Sequence, residues 1–273
     1  MRSTSQFNIN FVVAHKLEAN PLIEYFNLKK FVKKPFQIFK NENGIRLIIS
    51  GMGAICASNA VKYMWELNNG DSSLKEGWIN VGIAGHRTLK LGTCFLANKI
   101  SSKNTGEVYY PSLDLNTKIT KGLITVGRPE KLYAEDEAYD MEAAGFFKAA
   151  LKCSEIELIN IIKVISDNEA SSLDNITEKL IDNLMLKTIT HIEPIVSLLK
   201  KRLAILNKGL VLDRECFDMV KSIHFTVSQR NQFKRLCQRF DAMGRKDELK
   251  FILNRSRITS DQLLKKLTKK VAT

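Results

Sequence analysis

Short apolar runs rich in β-branched residues alternate with helical patterns between residues 9 and 166, and this alternation constrains the fold more than any other feature of the chain. Six runs bounded by Gly, Asn, Asp or Pro are typical of buried strands, at residues 9–14, 45–50, 78–83, 93–100, 122–126 and 158–166. Helical spacing of apolar residues lies between several of them, at residues 17–25, 54–67 and 140–150. Such alternation predicts an α/β domain with a mixed, mostly parallel sheet and helices on both faces.

The composition excludes several other classes of protein. A hydrophobic content of 44% supplies a core and excludes wholesale disorder. No stretch approaches the roughly 18–20 apolar residues that cross a bilayer, and the first residues lack the apolar run of a signal peptide, so we expect a cytoplasmic protein without a membrane span. The five cysteines and four histidines are scattered without metal-ligand spacing, which predicts reduced thiols, no metal and no cofactor.

The positive charge of the chain is concentrated in its last quarter. Residues 200–273 hold 19 Lys and Arg against 7 Asp and Glu, which is a net charge of +12 out of +13 for the whole chain. Apolar residues there recur at helical spacing over residues 216–223, 228–243, 246–254 and 260–270, with Ser228 and Ser260 as candidate N-caps and Gly244 as a stop. We therefore predict two domains, an α/β domain at 1–199 and a basic all-α C-terminal appendage at 200–273.

Two groups of basic residues lie on the predicted helices of the appendage. The first group is Arg230, Lys234, Arg235 and Arg239, with Phe233 and Phe240 interleaved, and the second is Lys265, Lys266, Lys269 and Lys270. Basic helices suit a polyanion or an acidic partner, with a salt-dependent affinity. The alternative is a solvated helical cap whose Phe and Leu residues dock on the α/β domain.

Glycines and polar residues follow three of the predicted strands. They are Ser50-Gly51-Met52-Gly53, Gly82-Ile83-Ala84-Gly85 and Ser166-Asp167. Ligands of such sheets bind beyond the carboxyl ends of the strands, and glycines let backbone amides approach a ligand closely. Taken alone, a glycine pair after a strand is more often a simple turn.

Several segments, in the same order along the chain, resemble the nucleoside phosphorylase and nucleosidase superfamily, most closely the methylthioadenosine/S-adenosylhomocysteine nucleosidases. The segments are Ala14-His15-Lys16-Leu17-Glu18-Ala19-Asn20-Pro21-Leu22, Ser50-Gly51-Met52-Gly53, Asn80-Val81-Gly82-Ile83-Ala84-Gly85, Asp140-Met141-Glu142-Ala143-Ala144 and Val164-Ile165-Ser166-Asp167. The resemblance spans residues 9–195. It implies the superfamily's fold, a purine nucleoside as the small-molecule partner, and a homodimer.

The resemblance also implies a role for each matching residue. Cleavage of an N-glycosidic bond develops positive charge on the sugar and negative charge on the purine, so an acid must protonate the base. By resemblance Asp167 is that acid, Glu18 orients or deprotonates the attacking water, and Glu142 accepts hydrogen bonds from the ribose. The set implied for substrate binding is Met141, Glu142, Ser50, Gly51, Gly53, Gly82, Ala84, Gly85, Ser166 and Lys163.

Each carboxylate also has a plainer interpretation. Asp167 has the character of a helix N-cap, Glu142 that of a solvated charge at a helix start, and Glu18 that of an ordinary first-turn residue. Three carboxylates retained together favour an enzyme, because a scaffold has no physical need for them near one pocket.

Three functions compete at this point. The first is hydrolysis by water, the second is phosphorolysis, and the third is a non-catalytic nucleoside-binding protein whose basic tail contacts nucleic acid. The glycine turns carry no arginine for a phosphate, which favours water and leaves Arg46 or a residue from a partner subunit as the remaining candidates. Three departures favour the binding protein: Lys163 where nucleosidases have arginine, Ile83 in place of a small polar residue, and a short connection over residues 103–128, of which Gly127-Arg128-Pro129 resembles the remainder of a base-binding loop.

Overall fold

The computed structural model of the chain describes residues 7–67, 74–113, 119–254 and 259–272, except for the side chains of 209–211 and 213–214. Its contacts divide into two units, unit 1 at Met1–Leu203 and unit 2 at Ala204–Thr273. The sequence placed the boundary slightly earlier, between residues 199 and 200, and the division into two domains stays a prediction.

Unit 1 is built from ten strands and four helices within the described residues. The strands are β1 (Ile9–Val13), β2 (Lys29–Val32), β3 (Gln37–Lys40), β4 (Ile45–Ile49), β5 (Gly77–Gly85), β6 (Cys94–Ser102), β7 (Val108–Tyr109), β8 (Thr120–Thr125), β9 (Ala138–Asp140) and β10 (Ile159–Asp167). The helices are α1 (Lys16–Tyr25), α2 (Ala54–Glu66), α3 (Ala143–Ala150) and α4 (Glu178–Met219), and α4 contains the boundary between the units. Short 3-10 turns lie at Ile156–Leu158 and Leu173–Asn175.

The strands form one mixed sheet in the order β10-β6-β8-β9-β5-β1-β4-β3-β2, with β7 beside β6. Because β10 also pairs with β5, the strands β5, β9, β8, β6 and β10 close into a barrel. The longest pairings, of β10 with β5 and of β6 with β8, are parallel, whereas β9 with β5 and β10 with β6 are antiparallel. The predicted mixed sheet is therefore confirmed, and its closure into a barrel is a feature that the strand pattern did not predict.

Helices cover both faces of this sheet, as the sequence predicted. Strand β1 is buried throughout, and its side chains alternate between two hydrophobic clusters. Phe11 and Val13 pack with α1 and α4, while Val12 packs with α2 and α3. A strand that is apolar on both sides is the expected consequence of burial between two helical layers.

The sequence pattern placed some boundaries wrongly. Helix α3 begins at Ala143 and not at Asp140, because Asp140 ends β9. Helix α4 begins at Glu178, after the 3-10 turn at Leu173–Asn175. Strands β2, β3, β7 and β9 were missed because each has only two to four residues, and β2 is exposed and lysine-rich.

Unit 2 is helical within the described residues. It contains the end of α4, α5 (Val227–Ala242), α6 (Lys246–Asn254) and α7 (Ser260–Val271), which pack around a core of their own that includes Phe233, Phe240 and Leu267. The predicted segment at 216–223 is the end of α4 and the turn that follows it.

The helix ends of unit 2 correct two further assignments. The N-caps are Thr226 and Thr259, whose side chains accept hydrogen bonds from the backbone N of Gln229 and Gln262, so the proposed caps Ser228 and Ser260 are wrong. Gly244 follows the end of α5, as predicted.

Within the described ranges, no helix combines the length and apolar character that a bilayer span requires.

We predict that Gly145→Ala destabilises the protein by about 3 kcal/mol, at the upper end of the cost of overpacking. A Cβ at Gly145 would come within 2.0 Å of the backbone oxygen of Ala54, where α3 meets α2 and neither backbone can yield easily. The measurement is the free energy of unfolding in denaturant. Gly127→Ala is the control, because its added Cβ meets only the side-chain end of Asn104, and an equal loss in both variants would contradict the prediction.

Candidate active site

A cavity of about 320 Å³ lies at the carboxyl ends of the strands of unit 1. Ala14 and His15 line it from the end of β1, and Gly85 and Asp167 line it from the last residues of β5 and β10. This is the side of an α/β sheet where loops leave the strands and ligands bind.

Glu18 lies in the first turn of α1 and is turned into the wall of this cavity. Its Oε2 accepts a hydrogen bond from the His15 backbone N at 2.9 Å, and its Oε1 accepts one from the Ile83 backbone N at 3.0 Å. Burial raises the pKa of the Glu18 carboxyl, against the opposing effect of these amides and of Lys163. Glu18 is thus both a helix-capping residue and a buried carboxyl group that links α1 to β5.

Lys163 lies in the middle of β10 and forms a buried ion pair with Asp140. The distance between Lys163 Nζ and Asp140 Oδ2 is 2.8 Å, and both side chains are at most 1% exposed. Asp140 also accepts hydrogen bonds from the Ala143 backbone N and the Thr125 hydroxyl, so it fixes the start of α3. Asp140 belongs to one of the segments that carry the family resemblance, but the resemblance gave it no role. Its position three residues before an alanine-rich helix was the available signal.

Glu142 is the N-cap of α3 and lies between the glycine turn and Lys163. Its Oε1 accepts a hydrogen bond from the Gly53 backbone N at 2.8 Å, and its Oε2 is 3.9 Å from Lys163 Nζ. Burial raises the pKa of Glu142 to about 7, assisted by the neighbouring Asp140 and Glu18 and opposed by Lys163 and the Gly53 amide. The interpretation of Glu142 as a solvated charge at a helix start is therefore wrong.

Lys163 and Glu18 meet beside Gly82. A Cβ at Gly82 would be 2.8 Å from Glu18 Oε1 and 3.4 Å from Lys163 Nζ, so the close approach requires a residue without a side chain. Burial alone would lower the pKa of Lys163, but Asp140, Glu142 and Glu18 together raise it. One lysine is thus surrounded by three buried carboxyl groups.

Asp167 is the last residue of β10, and its carboxylate accepts hydrogen bonds from two hydroxyl groups. Ser166 donates a hydrogen bond to Asp167 Oδ1, and Tyr133 donates one to Oδ2. Burial and this contact with Asp167 raise the pKa of the Tyr133 hydroxyl. Asp167 lies in a strand, so its interpretation as a helix N-cap is wrong.

Tyr133 is a site residue that the sequence did not reveal. It lies in the connection between β8 and β9, with a left-handed backbone at φ 42° and a ring packed against Tyr139. No local pattern marks such a residue, because its partner lies 34 positions along the chain.

The predicted site residues divide into those that line the cavity and those that support it. Glu18, Ala84, Gly85, Met141, Glu142, Ser166 and Asp167 line it. The other five, Ser50, Gly51, Gly53, Gly82 and Lys163, are not part of the lining. Gly53, Gly82 and Lys163 instead hold the carboxyl groups in place.

Much of the remaining wall of the cavity is formed by apolar side chains that were not predicted as site residues. They are Met52, Val126, Leu173, Ile176 and Ile181, together with Ile83 and Pro129. Pro129 belongs to the segment that resembles a base-binding loop, whereas residues 114–118 of the short connection lie outside the described part of the chain. Among the lining residues there is no Lys or Arg. Within the described ranges, no three His, Cys, Asp or Glu side chains are placed to share a metal ion.

The fold is that of known nucleosidases. A methylthioadenosine/S-adenosylhomocysteine nucleosidase of Helicobacter pylori superposes with a TM-score of 0.57 at 14% identity, covering 70% of this chain and 98% of its own. The methylthioadenosine nucleosidase of Arabidopsis thaliana gives 0.57 at 15% identity, with 71% and 96% covered. Futalosine hydrolase of Helicobacter pylori gives 0.57 at 13% identity, with 70% and 97% covered.

Neither a family model nor a curated protein matches the sequence. At these identities the superpositions establish the fold, which is the fold that the sequence resemblance implied.

We predict that the stability of the protein falls as the pH rises from about 5 to 8, and that Glu142→Gln reduces this fall by up to about 3 kcal/mol. The pKa of Glu142 is raised to about 7 in the folded protein, so between its unfolded value and 7 the folded state holds a proton that the unfolded chain releases. The contribution to stability is therefore fully present below the unfolded pKa and is lost as the pH rises through about 7.

The measurement is urea denaturation at several pH values. Glu24→Gln, which changes an exposed glutamate on α1, is the control and should leave the pH dependence as it is. Identical pH profiles for the wild type and Glu142→Gln would contradict the prediction.

Proposed function

We infer that the protein hydrolyses the N-glycosidic bond of a purine nucleoside or thionucleoside. The observation that carries this proposal is the cavity itself, where Glu18, Glu142 and Asp167 share one wall and no Lys or Arg lines the space. Carboxyl groups suit a reaction in which the sugar becomes positive and the base must be protonated. The solved nucleosidases and futalosine hydrolase that share this fold support the same reaction class.

The surroundings of the cavity favour water over phosphate as the attacking group. Arg46, the candidate for a phosphate within this chain, is bound to Glu76 at 2.7 Å and lies near the start of β4, while the cavity lies beyond the carboxyl ends. The glycine turn offers few free amides, because Gly51 N donates to Ala14 O and Gly53 N donates to Glu142. A phosphate would thus lack both a cationic side chain and most of a backbone cradle.

The proposed roles follow from what each carboxyl group contacts. Asp167 protonates the departing purine, and the Ser166 and Tyr133 hydroxyls stabilise the carboxylate that it becomes. Glu142 accepts hydrogen bonds from the ribose, beside Met141. Glu18, held by two backbone amides, orients the attacking water and accepts the proton that this water loses.

The first test is release of free purine from methylthioadenosine, S-adenosylhomocysteine, adenosine and inosine, each with and without phosphate. We expect release without phosphate, and we expect Asp167→Asn to lower the rate at least about a hundredfold, because an amide cannot supply the proton. Asp182→Asn, an exposed change on α4, is the matched control. Release only with phosphate would establish a phosphorylase, and no release from any substrate would leave the nucleoside-binding protein as the better description.

We further expect Tyr133→Phe to lower kcat about tenfold, which is the value of one hydrogen bond to a charged group. Without the phenol, the carboxylate that forms at Asp167 loses one hydrogen bond and is less stable as the base departs. KM should change less than kcat, because Tyr133 contacts Asp167 and is not among the residues that line the cavity.

Tyr109→Phe provides the control, because Tyr109 packs on Phe147 away from Asp167. A loss of kcat no larger than that of Tyr109→Phe, or a rise in KM as large as the fall in kcat, would contradict the prediction.

A further inference from the structure

Only some of the basic residues of unit 2 form ion pairs with its acidic residues. Glu215 contacts Lys250 at 2.9 Å and Lys246 at 3.9 Å, and Glu248 contacts Arg245 at 2.8 Å. These ion pairs lie on α6 and on the segments next to it. They neutralise part of the basic composition, and Glu248 also contacts Lys270 of α7 at 3.6 Å.

Four exposed cations on α5 and α7 have no acidic partner among the described residues. They are Arg235 and Arg239 on α5, one helical turn apart, and Lys265 and Lys266 on α7. The two helices pack together through the core of unit 2, and Gln229 Nε2 donates to Asp261 Oδ1 at 2.8 Å where they begin. We call these four residues the basic cluster.

The other residues of the predicted basic face are arranged differently. The guanidinium of Arg230 stacks over the Phe217 ring at 4.7 Å, and Phe233 and Phe240 are buried in the core and do not alternate with cations on the surface. The two phenylalanines are therefore not placed to stack on nucleic-acid bases.

The apolar sides of these helices are also occupied. Leu263, Leu264 and Leu267 of α7 are buried, as are Leu236 and Cys237 of α5. A helix that binds a membrane surface needs its apolar side for the lipid. The exposed chemistry of the basic cluster is thus cationic, with neither an apolar side for a bilayer nor an aromatic platform for bases.

We propose that unit 2 binds the phosphate backbone of nucleic acid, without sequence preference, and that the basic cluster is the contact surface. Cations that neutralise phosphates release counterions, which makes this kind of binding strongly dependent on salt. A charge of +12 in residues 200–273 complements a polyanion. The proposal does not depend on the reaction carried out in unit 1.

The test uses the full-length protein and a short fluorescent DNA duplex of mixed sequence, followed by anisotropy between about 50 and 200 mM salt. We expect binding whose affinity falls steeply with salt and is equal for duplexes of different sequence. In the variant Arg235→Gln/Arg239→Gln/Lys265→Gln/Lys266→Gln, affinity should fall at least tenfold, and the salt slope should decrease by about 3.

The matched control changes four exposed lysines of unit 1, as Lys29→Gln/Lys33→Gln/Lys152→Gln/Lys187→Gln, and removes the same charge. It should alter affinity less than threefold, and thermal melting checks that both variants are folded. Equal losses in the two variants, no binding at low salt, or stronger binding to vesicles that contain phosphatidylserine than to the duplex would each overturn the proposal.

Discussion

The position of Lys163 among three carboxyl groups is the constraint on which the site depends. Burying an ion pair costs desolvation free energy, which the attraction between the charges offsets only when the geometry is good. The loss of one partner leaves an uncompensated buried charge. Lys163 contacts Asp140 at the end of β9 and Glu142 at the start of α3, so one ammonium group holds two segments against β10. Glu18 of α1 lies near the same ammonium group, beside Gly82. The site is therefore part of what holds this end of unit 1 together.

The group formed by Lys163 and its neighbours contains three carboxyl groups and one cation. This excess of carboxyl groups has a chemical consequence. In the absence of a ligand a proton offsets part of the excess, which agrees with the raised pKa of Glu142. Under the proposed function, a sugar that becomes positive during bond cleavage supplies a further cation at the moment it is needed. The surplus of carboxyl groups would then favour the transition state over the bound substrate.

The sequence predicted the features of unit 1 that depend on local patterns. Long buried strands such as β5 and β10 were visible as apolar runs, and the carboxyl groups of Glu18, Glu142 and Asp167 were found through the resemblance. The closed barrel, the three-residue strand β9 and the contact of Tyr133 with Asp167 were not predicted, because each depends on partners that are distant in the chain. The N-caps of unit 2 were misplaced for a different reason, since Ser and Thr compete for the same role and only the geometry of Thr226 and Thr259 decides.

The three departures that favoured a non-catalytic protein leave the carboxyl groups in place. Ile83 holds Glu18 through its backbone N–H, which any residue other than proline would supply. Lys163 lacks the planar fork of arginine, and accordingly it makes one short contact with Asp140 and one longer contact with Glu142. Tyr133 follows the short connection along the chain and donates a hydrogen bond to the proposed acid, Asp167. The departures thus change how the carboxyl groups are held and leave an arrangement in which all three still line one cavity.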